Sequence, residues 1–530
     1  MIAPRWAAAL LLLLLAGGSG AAAQEPAGSV LRKRTVAEDL QMFSQVLNQI
    51  RVNHPDSIDT HELFMAAIRG LVHAADPHSV VIPAARLAPE KEKALREGKL
   101  HPVPIDFAFY GGAPVVVSVA PGSRAARLDI LPGDELIAID GASVEAERAL
   151  ELDVFLAGPK GSSVELTLER RRTDGSLARI TRSVQRERVE EATAVPVALM
   201  LDDRTGYVRI TSFAGDRVAD DLNDALDRLE KQGLARLVLD LRDNGGGSVE
   251  EAASVAGAFL PKGTVVYRIE GRKEDVARTG KVERSFWKSE RRYPIVVLTN
   301  AGTASAAELV AGALQDHDRA LIVGRRTFGK ALVMRTLPLA DGSRISLVVG
   351  HLVTPCGRIV QRQYRNITRR EYYRLAGADR DTVGLPTCTS TGGRTLYGGG
   401  GIYPDVVLPD PEPRPLWLDR VYELNLPLQW VGGYVTDHEA ELPSLDALAA
   451  QPALPASALA SFRAFAAAQG APVPDGPDAD APLQRILVRR VAAAKWGEAG
   501  YYRIDAVLDP AIKEAARALD AAAALVSSGS

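Results

Sequence analysis

Two stretches of this 530-residue chain alternate apolar runs with helical patterns and constrain the architecture around them. In Leu237–Ser248, LVLDLRDNGGGS, an apolar run ends in three glycines and passes into the helical VEEAASVAGAF, giving strand, tight turn and helix. Downstream, Ile295–Thr299 is a buried-strand run feeding a turn at Ser305. Ala306–Gln315 then has Leu309, Ala313 and Leu314 at helical spacing, and Ala320–Val323 is a second short apolar run. Thr205–Phe213 and Arg217–Gln232 add a strand and an amphipathic helix; Ile345–Val353 and Arg358–Gln361 read as later strands. Strands alternating with helices predict an α/β core with a largely parallel sheet.

The same stretches carry candidate chemistry. Ser305 stands at a helix N-terminus, where unsatisfied N–H groups favour negative charge. Lys330 ends the turn Thr327-Phe328-Gly329-Lys330 between apolar flanks, Phe328 before it and Ala331-Leu332-Val333 after it. A serine attacks an amide only if a base takes its proton, and burial lowers a lysine's pKa enough for that work. An isolated serine and lysine would read as a helix cap and a surface charge. The glycine turn changes the balance: Gly245, Gly246 and Gly247 bring bare backbone N–H groups close to a ligand, as an oxyanion hole requires.

Together these stretches resemble the carboxyl-terminal processing (tail-specific) proteases, PDZ-containing serine endopeptidases with a Ser/Lys dyad. The family's S-A-S-A-S-E is met as Thr303-Ala304-Ser305-Ala306-Ala307-Glu308. Its T-F-G-K-G-x-V-Q is met as Thr327–Met334, and its D-L-R-x-N-x-G-G as Asp240–Gly247. The resemblance implies that Ser305 is the nucleophile, Lys330 the general base, and the N–H groups of Gly245–Gly247 and Ala306 the oxyanion donors. Glu308 either orients this network or caps the helix. Met334 departs from the pattern: the family's glutamine there supports the dyad by hydrogen bonding, and a thioether cannot donate.

The implied protein is a multidomain α/β serine endopeptidase, independent of ATP and metal, cutting unstructured C-terminal tails. Its expected parts are a signal peptide (1–23), an N-terminal helical region (24–100), a PDZ domain (101–190), a protease core of the ClpP/crotonase-like type (191–410) and a helical C-terminal region (411–530). In the PDZ region, Leu131–Gly141, LPGDELIAIDG, resembles the signature "pGD-I--I-G". Its groove, expected near Val103–Phe109, would take an extended tail as an added strand. Pro102 and Pro104 interrupt the usual carboxylate loop, so a PDZ fold that binds tails poorly is the competing reading.

Thr35–Asn53 reads as an amphipathic helix with Thr35 and Glu38 as a capping box, and a second helix is expected from about His61 to Ala75. Asp76-Pro77-His78-Ser79 matches the D-P-H-S turn that resembling proteins carry before their PDZ domain. His61-Glu62 lacks the second histidine of HExxH, which excludes that zinc site. Tyr364–Thr391 is polar and irregular, and the glycine cluster Gly398–Gly401 reads as a structural turn closing the core. In the tail, Ser457–Gln469, Leu483–Lys495 and Pro510–Val526 are the expected helices, with Ser457 as a cap and Pro472–Pro482 as a flexible linker.

Arg5, the apolar Trp6–Ala16 and Ala21-Ala22-Ala23 form a signal-peptide pattern with no lipid-anchoring cysteine, so export to a periplasm is expected. Cys356 and Cys388 flank one insertion; a disulfide and two free thiols both stay open. A net charge of -3 leaves no basic field, which argues against nucleic acid; the expected partners are protein tails, with an adaptor, an activator or self-association left open. Two rival functions remain. Gly324–Lys330 opens like a P-loop, but Ala331 lacks the required hydroxyl and a strand pattern follows instead of a helix. A catalytically silent PDZ scaffold that binds tails draws its support from Met334.

Overall fold

The computed structural model describes residues 34–528, apart from 83–89, 91–92, 95–96, 98, 111–112, 121–122, 145–148, 173–175, 188–192, 284–288, 341, 366, 368, 379–381 and 410–413. The expected signal peptide lies outside the described residues. Two compact units divide at Gly70/Leu71. In the N-terminal unit, α1 (Val36–Asn53) starts at the predicted capping box: Glu38 N donates to Thr35 Oγ1 and Thr35 N to Glu38 Oε2. Phe43 of α1 and Phe64 of α2 (Thr60–Ala75) meet with ring centroids 5.9 Å apart. Among the described residues no helix is long and apolar enough to cross a membrane.

The large unit opens with an Asx turn. Asp76 Oδ1 accepts the N–H groups of His78 and Ser79, and Ser79 Oγ in turn accepts Val348 N. This fixes the short β1 (Val80–Ile82). An antiparallel sheet of order β2-β3-β4-β6-β7 follows, with β5 on β4. Its strands are β2 (Ile105–Tyr110), β3 (Ala113–Val119), β4 (Glu135–Ile139), β5 (Ala142–Ser143), β6 (Ser163–Arg171) and β7 (Leu177–Gln185). Alternate residues Val164, Leu166 and Leu168 of β6 point into a core closed by Leu152 and Leu156 of α3 (Ala149–Leu156). β2 is the edge strand beside α3, in the predicted groove region. Gly133, at φ +96°, brings the PGD turn onto the C-terminal region so closely that a Cβ would lie 2.1 Å from Leu428 O. Arg170 joins the same surfaces by pairing with buried Asp134 (2.7 Å) and Thr436 (3.1 Å).

The core sheet runs β19-β14-β13-β10-β9-β8, parallel except for β8 on β9. Its strands are β8 (Val197–Met200), β9 (Thr205–Arg209), β10 (Arg236–Asp240), β13 (Ile295–Thr299), β14 (Leu321–Gly324) and β19 (Val406–Val407). Helices α4 (Val218–Lys231), α5 (Val249–Gly257) and α6 (Ala306–Asp316) cover one face. The central strands are apolar at nearly every position because both faces are covered. Leu237, Leu239, Val297 and Ile322 meet these helices, while Val238, Val296, Leu298, Leu321 and Val323 face the other way.

A second sheet, β1-β16-β11-β12 with β15 also on β16, packs beside it: β11 (Val265–Gly271), β12 (Arg278–Lys281), β15 (Leu332–Pro338) and β16 (Arg344–Val353). Arg358–Gln361, expected as a strand, forms among the described residues an isolated bridge between Val353 and Ile359; Arg358 bonds Gln315 at the end of α6, and Gln361 accepts Ala331 N. The irregular insertion holds α7 (Arg369–Ala378), a helix its polar sequence concealed, and β17 (Thr387–Thr389), which pairs with β18 (Thr395–Tyr397). Cys356 and Cys388 form a disulfide across its base.

The C-terminal region is more helical than its sequence suggested: α8 (Leu416–Glu423), α9 (Leu426–Asp437), α10 (Leu445–Ala450), α11 (Ala456–Ala468), α12 (Pro477–Leu508), α13 (Pro510–Arg517) and α14 (Leu519–Ser528). Pro455 takes the cap position instead of Ser457. The expected linker is largely ordered: Ala471 and Val473 are buried and Pro477 starts α12, which breaks at Gly497. Trp430, Phe462 and Leu487 centre one core, while Ile512, Ala515, Leu519 and Ala522 close the second face of the main sheet.

A buried charge cluster pins this tail to the sheet. Arg242 bonds Asp240 (2.6 Å) and Asp509 (2.6 Å), and Asp240 also accepts from Arg209 (3.2 Å) and Tyr207 (2.9 Å). Burial opposes ionisation of Asp240, but Arg242 and Arg209 outweigh it and hold the carboxyl below its usual range. Arg242→Ala removes the guanidinium that bonds both Asp240 and Asp509, leaving Asp240 to Arg209 and Tyr207, and should lower the unfolding free energy by about 3 kcal/mol, read from the midpoint of chemical denaturation.

Candidate active site

Strands β14, β13 and β10 are neighbours, so the segments leaving their C-terminal ends lie side by side. They carry Lys330, Ser305 and Gly245–Gly247 respectively. In open α/β sheets this edge is where ligands bind.

Thr303 and Asn244 stitch the three segments together. Thr303 Oγ1 donates to Leu241 O (2.8 Å), and Thr303 O accepts Phe328 N (2.9 Å). Asn244 O accepts Ala304 N (2.9 Å), while its buried side chain donates to Ile210 O and accepts Gly246 N, both at 2.9 Å. That last bond removes the Gly246 N–H from the expected oxyanion donors, because Asn244 Oδ1 already takes it. Gly246 instead allows close approach: at φ +96°, a Cβ there would lie 2.8 Å from Ser305 Cβ, Ala304 O and Ala306 N. A Cβ on Gly245 would meet nothing within 4 Å, so the space above that residue is open. Gly247, at φ +148°, is pressed against Phe213.

Ser305 has φ +57° and ψ −118°, an unfavourable conformation for a residue with a Cβ. It turns the chain sharply from β13 into α6, which presents Ala306 at the first helical position. The side chain of Glu308 holds this turn. Its Oε2 accepts both Ser305 N (2.8 Å) and Lys330 N (2.8 Å), and its Oε1 accepts Thr327 Oγ1 (2.5 Å) and Gly329 N (2.7 Å). One carboxylate oxygen therefore binds the backbone of both expected dyad residues. Burial pushes the Glu308 pKa up to about 7, against the lowering effect of Thr327, Lys330, Gly329 and Ser305.

Every backbone donor of the lysine turn has a partner. Besides the bonds to Thr303 and Glu308, Thr327 N donates to Ile402 O (3.1 Å) and Ala331 N to Gln361 Oε1 (2.8 Å). The glycine cluster closes the core by contact: a Cβ on Gly401 would lie 2.4 Å from Thr327 O. Burial lowers the Lys330 pKa, and the charge of Glu308 opposes that shift. Lys330 Nζ has no hydrogen-bond or ion-pair partner among the described residues. Met334 sits in β15 in register with Val348 and leaves the polar bonding around the turn to other residues.

Gln361 and Tyr372, which the sequence did not single out, both touch this turn. Gln361 carried no spacing signal, and Tyr372 lay inside the irregular insertion. Asp316 lies close to the sulfurs of Cys356 and Cys388, but these are bonded to each other and its carboxylate pairs with Arg358 (2.7 Å). The trio is a clasp on the end of α6.

The chain is similar to known proteins. Residues 204–368 match the model of peptidase family S41, and residues 115–170 match that of the PDZ domain. The carboxy-terminal-processing protease of Bartonella bacilliformis is 31% identical over 331 residues, 61% of this chain and 73% of the relative. The carboxy-terminal processing protease CtpA of Bacillus subtilis is also 31% identical, over 61% of this chain and 66% of its own length. A solved photosystem II D1 C-terminal processing protease is 26% identical, covering 74% of this chain and 92% of that one at a TM-score of 0.35.

Two outcomes test the site's construction. Gly246→Ala should cost several kcal/mol in stability through strain and overlap with the Ser305 backbone, whereas Gly245→Ala should cost about 1 kcal/mol or less, both by thermal melting. The raised Glu308 pKa means that the folded state favours the protonated form. Its stabilising contribution is full below about pH 4.5 and is lost as pH rises through about 7. Unfolding free energy measured against pH should therefore show a downward slope of about 3 kcal/mol across that window, which Glu308→Gln removes.

Proposed function

This chain belongs to the carboxy-terminal-processing proteases of peptidase family S41, and with them to the serine-type peptidases; on that premise we propose that it cuts unstructured protein C-terminal tails with Ser305 as nucleophile and Lys330 as general base. The observation that carries this reading is the single oxygen, Glu308 Oε2, that accepts the N–H groups of both residues.

Neutral Lys330 takes the proton from Ser305 Oγ as that oxygen attacks the scissile carbonyl. The tetrahedral oxyanion develops against the N–H of Ala306 and the remaining N–H groups of the glycine turn, those of Gly245 and Gly247. Lys330 then passes its proton to the leaving amine, and water, deprotonated by the same lysine, releases the acyl-enzyme. The lowered Lys330 pKa suits this work, because a base must be unprotonated near the working pH.

The PDZ domain recognises or gates tails, which would add as a strand along the edge of β2. Met1–Ala23 directs export to the periplasm, and the Cys356–Cys388 disulfide is in keeping with an oxidising compartment.

The test compares the mature protein with Ser305→Ala and Lys330→Ala on an unfolded substrate bearing an apolar C-terminal tail, products being identified by intact mass. Wild type should cleave, each variant should lose about a thousandfold or more in kcat, and wild-type activity should rise from neutral into alkaline pH. Cleavage that survives in either variant, or an acidic optimum, would remove the dyad reading. An inert wild type that still binds tails would instead mark a silent scaffold.

A further inference from the structure

We propose that Tyr372, carried by the insertion helix α7, is a positioning residue for Lys330, holding the turn that presents the lysine. The inference rests on the reading of Lys330 as the general base.

Tyr372 is fully buried although its helix is polar, so its hydroxyl needs partners inside the protein. Around it lie Gln361 Nε2, which donates to it (3.0 Å), His78 Nε2 at 3.0 Å and the carbonyl of Gly329 at 3.5 Å. A phenol offers one donor and two lone pairs. Gln361 fills one lone pair, and the Tyr372 hydroxyl donates to Gly329 O, the peptide oxygen next to Lys330.

The bond to Gly329 is the longest of the three, and the ring adds to it. Tyr372 packs edge-on against Phe328 at 5.7 Å between centroids, and against His78 at 5.3 Å. Gln361 extends the contact, since its Oε1 accepts Ala331 N on the other side of Lys330. Arg362 N also donates to Gly329 O (2.9 Å). The residues before and after the lysine are thus held by a network converging from positions 78, 361 and 372.

The chemistry requires that support. A lysine is a base near neutral pH only while its ammonium form is penalised by burial, and a turn that loosens lets the side chain reach water. Met334 supplies no donor to this surface. Tyr372 and Gln361 reach the same turn from a segment outside the three catalytic motifs. A misplacement of about 1 Å in a catalytic group can cost about a hundredfold in rate, so small changes here are measurable.

The test follows covalent labelling of Ser305 by an alkyl fluorophosphonate across pH, using the full chain, alongside tail cleavage. Lys330→Ala provides the control for the underlying reading. Tyr372→Phe keeps the ring and removes the hydroxyl. It should label about three- to tenfold more slowly at neutral pH, with the half-maximal pH moved upward and KM for cleavage unchanged. Tyr372→Leu removes the ring as well and should show a larger effect in the same direction, with melting curves establishing that both variants fold. A Tyr372→Phe protein with the wild-type rate and midpoint overturns the proposal, as does a uniform slowing without a shifted midpoint. Wild type that fails to label, or Lys330→Ala labelling as fast as wild type, removes the base reading itself and the proposal with it.

Discussion

Burying a carboxylate is expensive, and Glu308 exists in this fold because four donors converge on it. Two belong to the serine turn and to the residue that carries the lysine, and two to the peptide and hydroxyl between β14 and that lysine. A carboxylate is suited to the position because it accepts at both oxygens; an amide would turn donors against donors. The strained backbone of Ser305 is tolerated for the same reason, its N–H being tied to the network that sets the lysine turn.

Around this group the structure satisfies backbone with side chains where the sheet ends. Asn244 and Thr303 bond the glycine, serine and lysine segments to one another, so none is an independent loop. Close backbone approach is left to glycines: Gly246 faces Ser305 and Gly401 faces Thr327, each where a Cβ would overlap main-chain atoms. Below the glycine turn, Asp240 and Arg242 carry the restraint through Asp509 into the C-terminal helices. Those helices close a sheet whose second face would otherwise expose Val238, Val296 and Val323.

The parts of this design that obey local rules were legible in the sequence. The capping box of α1, the buried strands β10, β13 and β14 and the turns after them follow from short-range pattern; β13 has its expected bounds and the others differ by a residue or two at most. Arg358–Gln361 looked like a strand because its spacing allows one, but its polar side chains serve long-range contacts instead. α7 was hidden because its apolar content is low, and Tyr372 gains its importance from partners far away in sequence. The Gly246 N–H was expected at the oxyanion because glycine turns often expose donors; that Asn244 would claim it depends on a side-chain orientation no spacing reveals. The disulfide, open on sequence grounds, is closed by the pairing of β17 with β18, which brings Cys388 to the turn that carries Cys356.

These restraints differ in reach. Glu308, Asn244 and Thr303 lie within the three motifs and fix the glycine, serine and lysine segments relative to one another. The insertion acts from outside. It leaves the core at Gln361 and Arg362, both bonded to the lysine turn, and returns at Cys388, covalently joined to Cys356. Cys356 N and Arg358 bond Asp316, at the far end of the helix that Ser305 begins. One segment therefore touches the lysine turn at its departure and the serine helix at its return. The two expected catalytic residues are coupled twice, directly through a buried carboxylate and indirectly through a loop that bridges their supports. Polar bonding around the lysine turn thus comes from Glu308 within the motifs and from Gln361 and Tyr372 at the insertion, while Met334 lies in β15 in register with Val348.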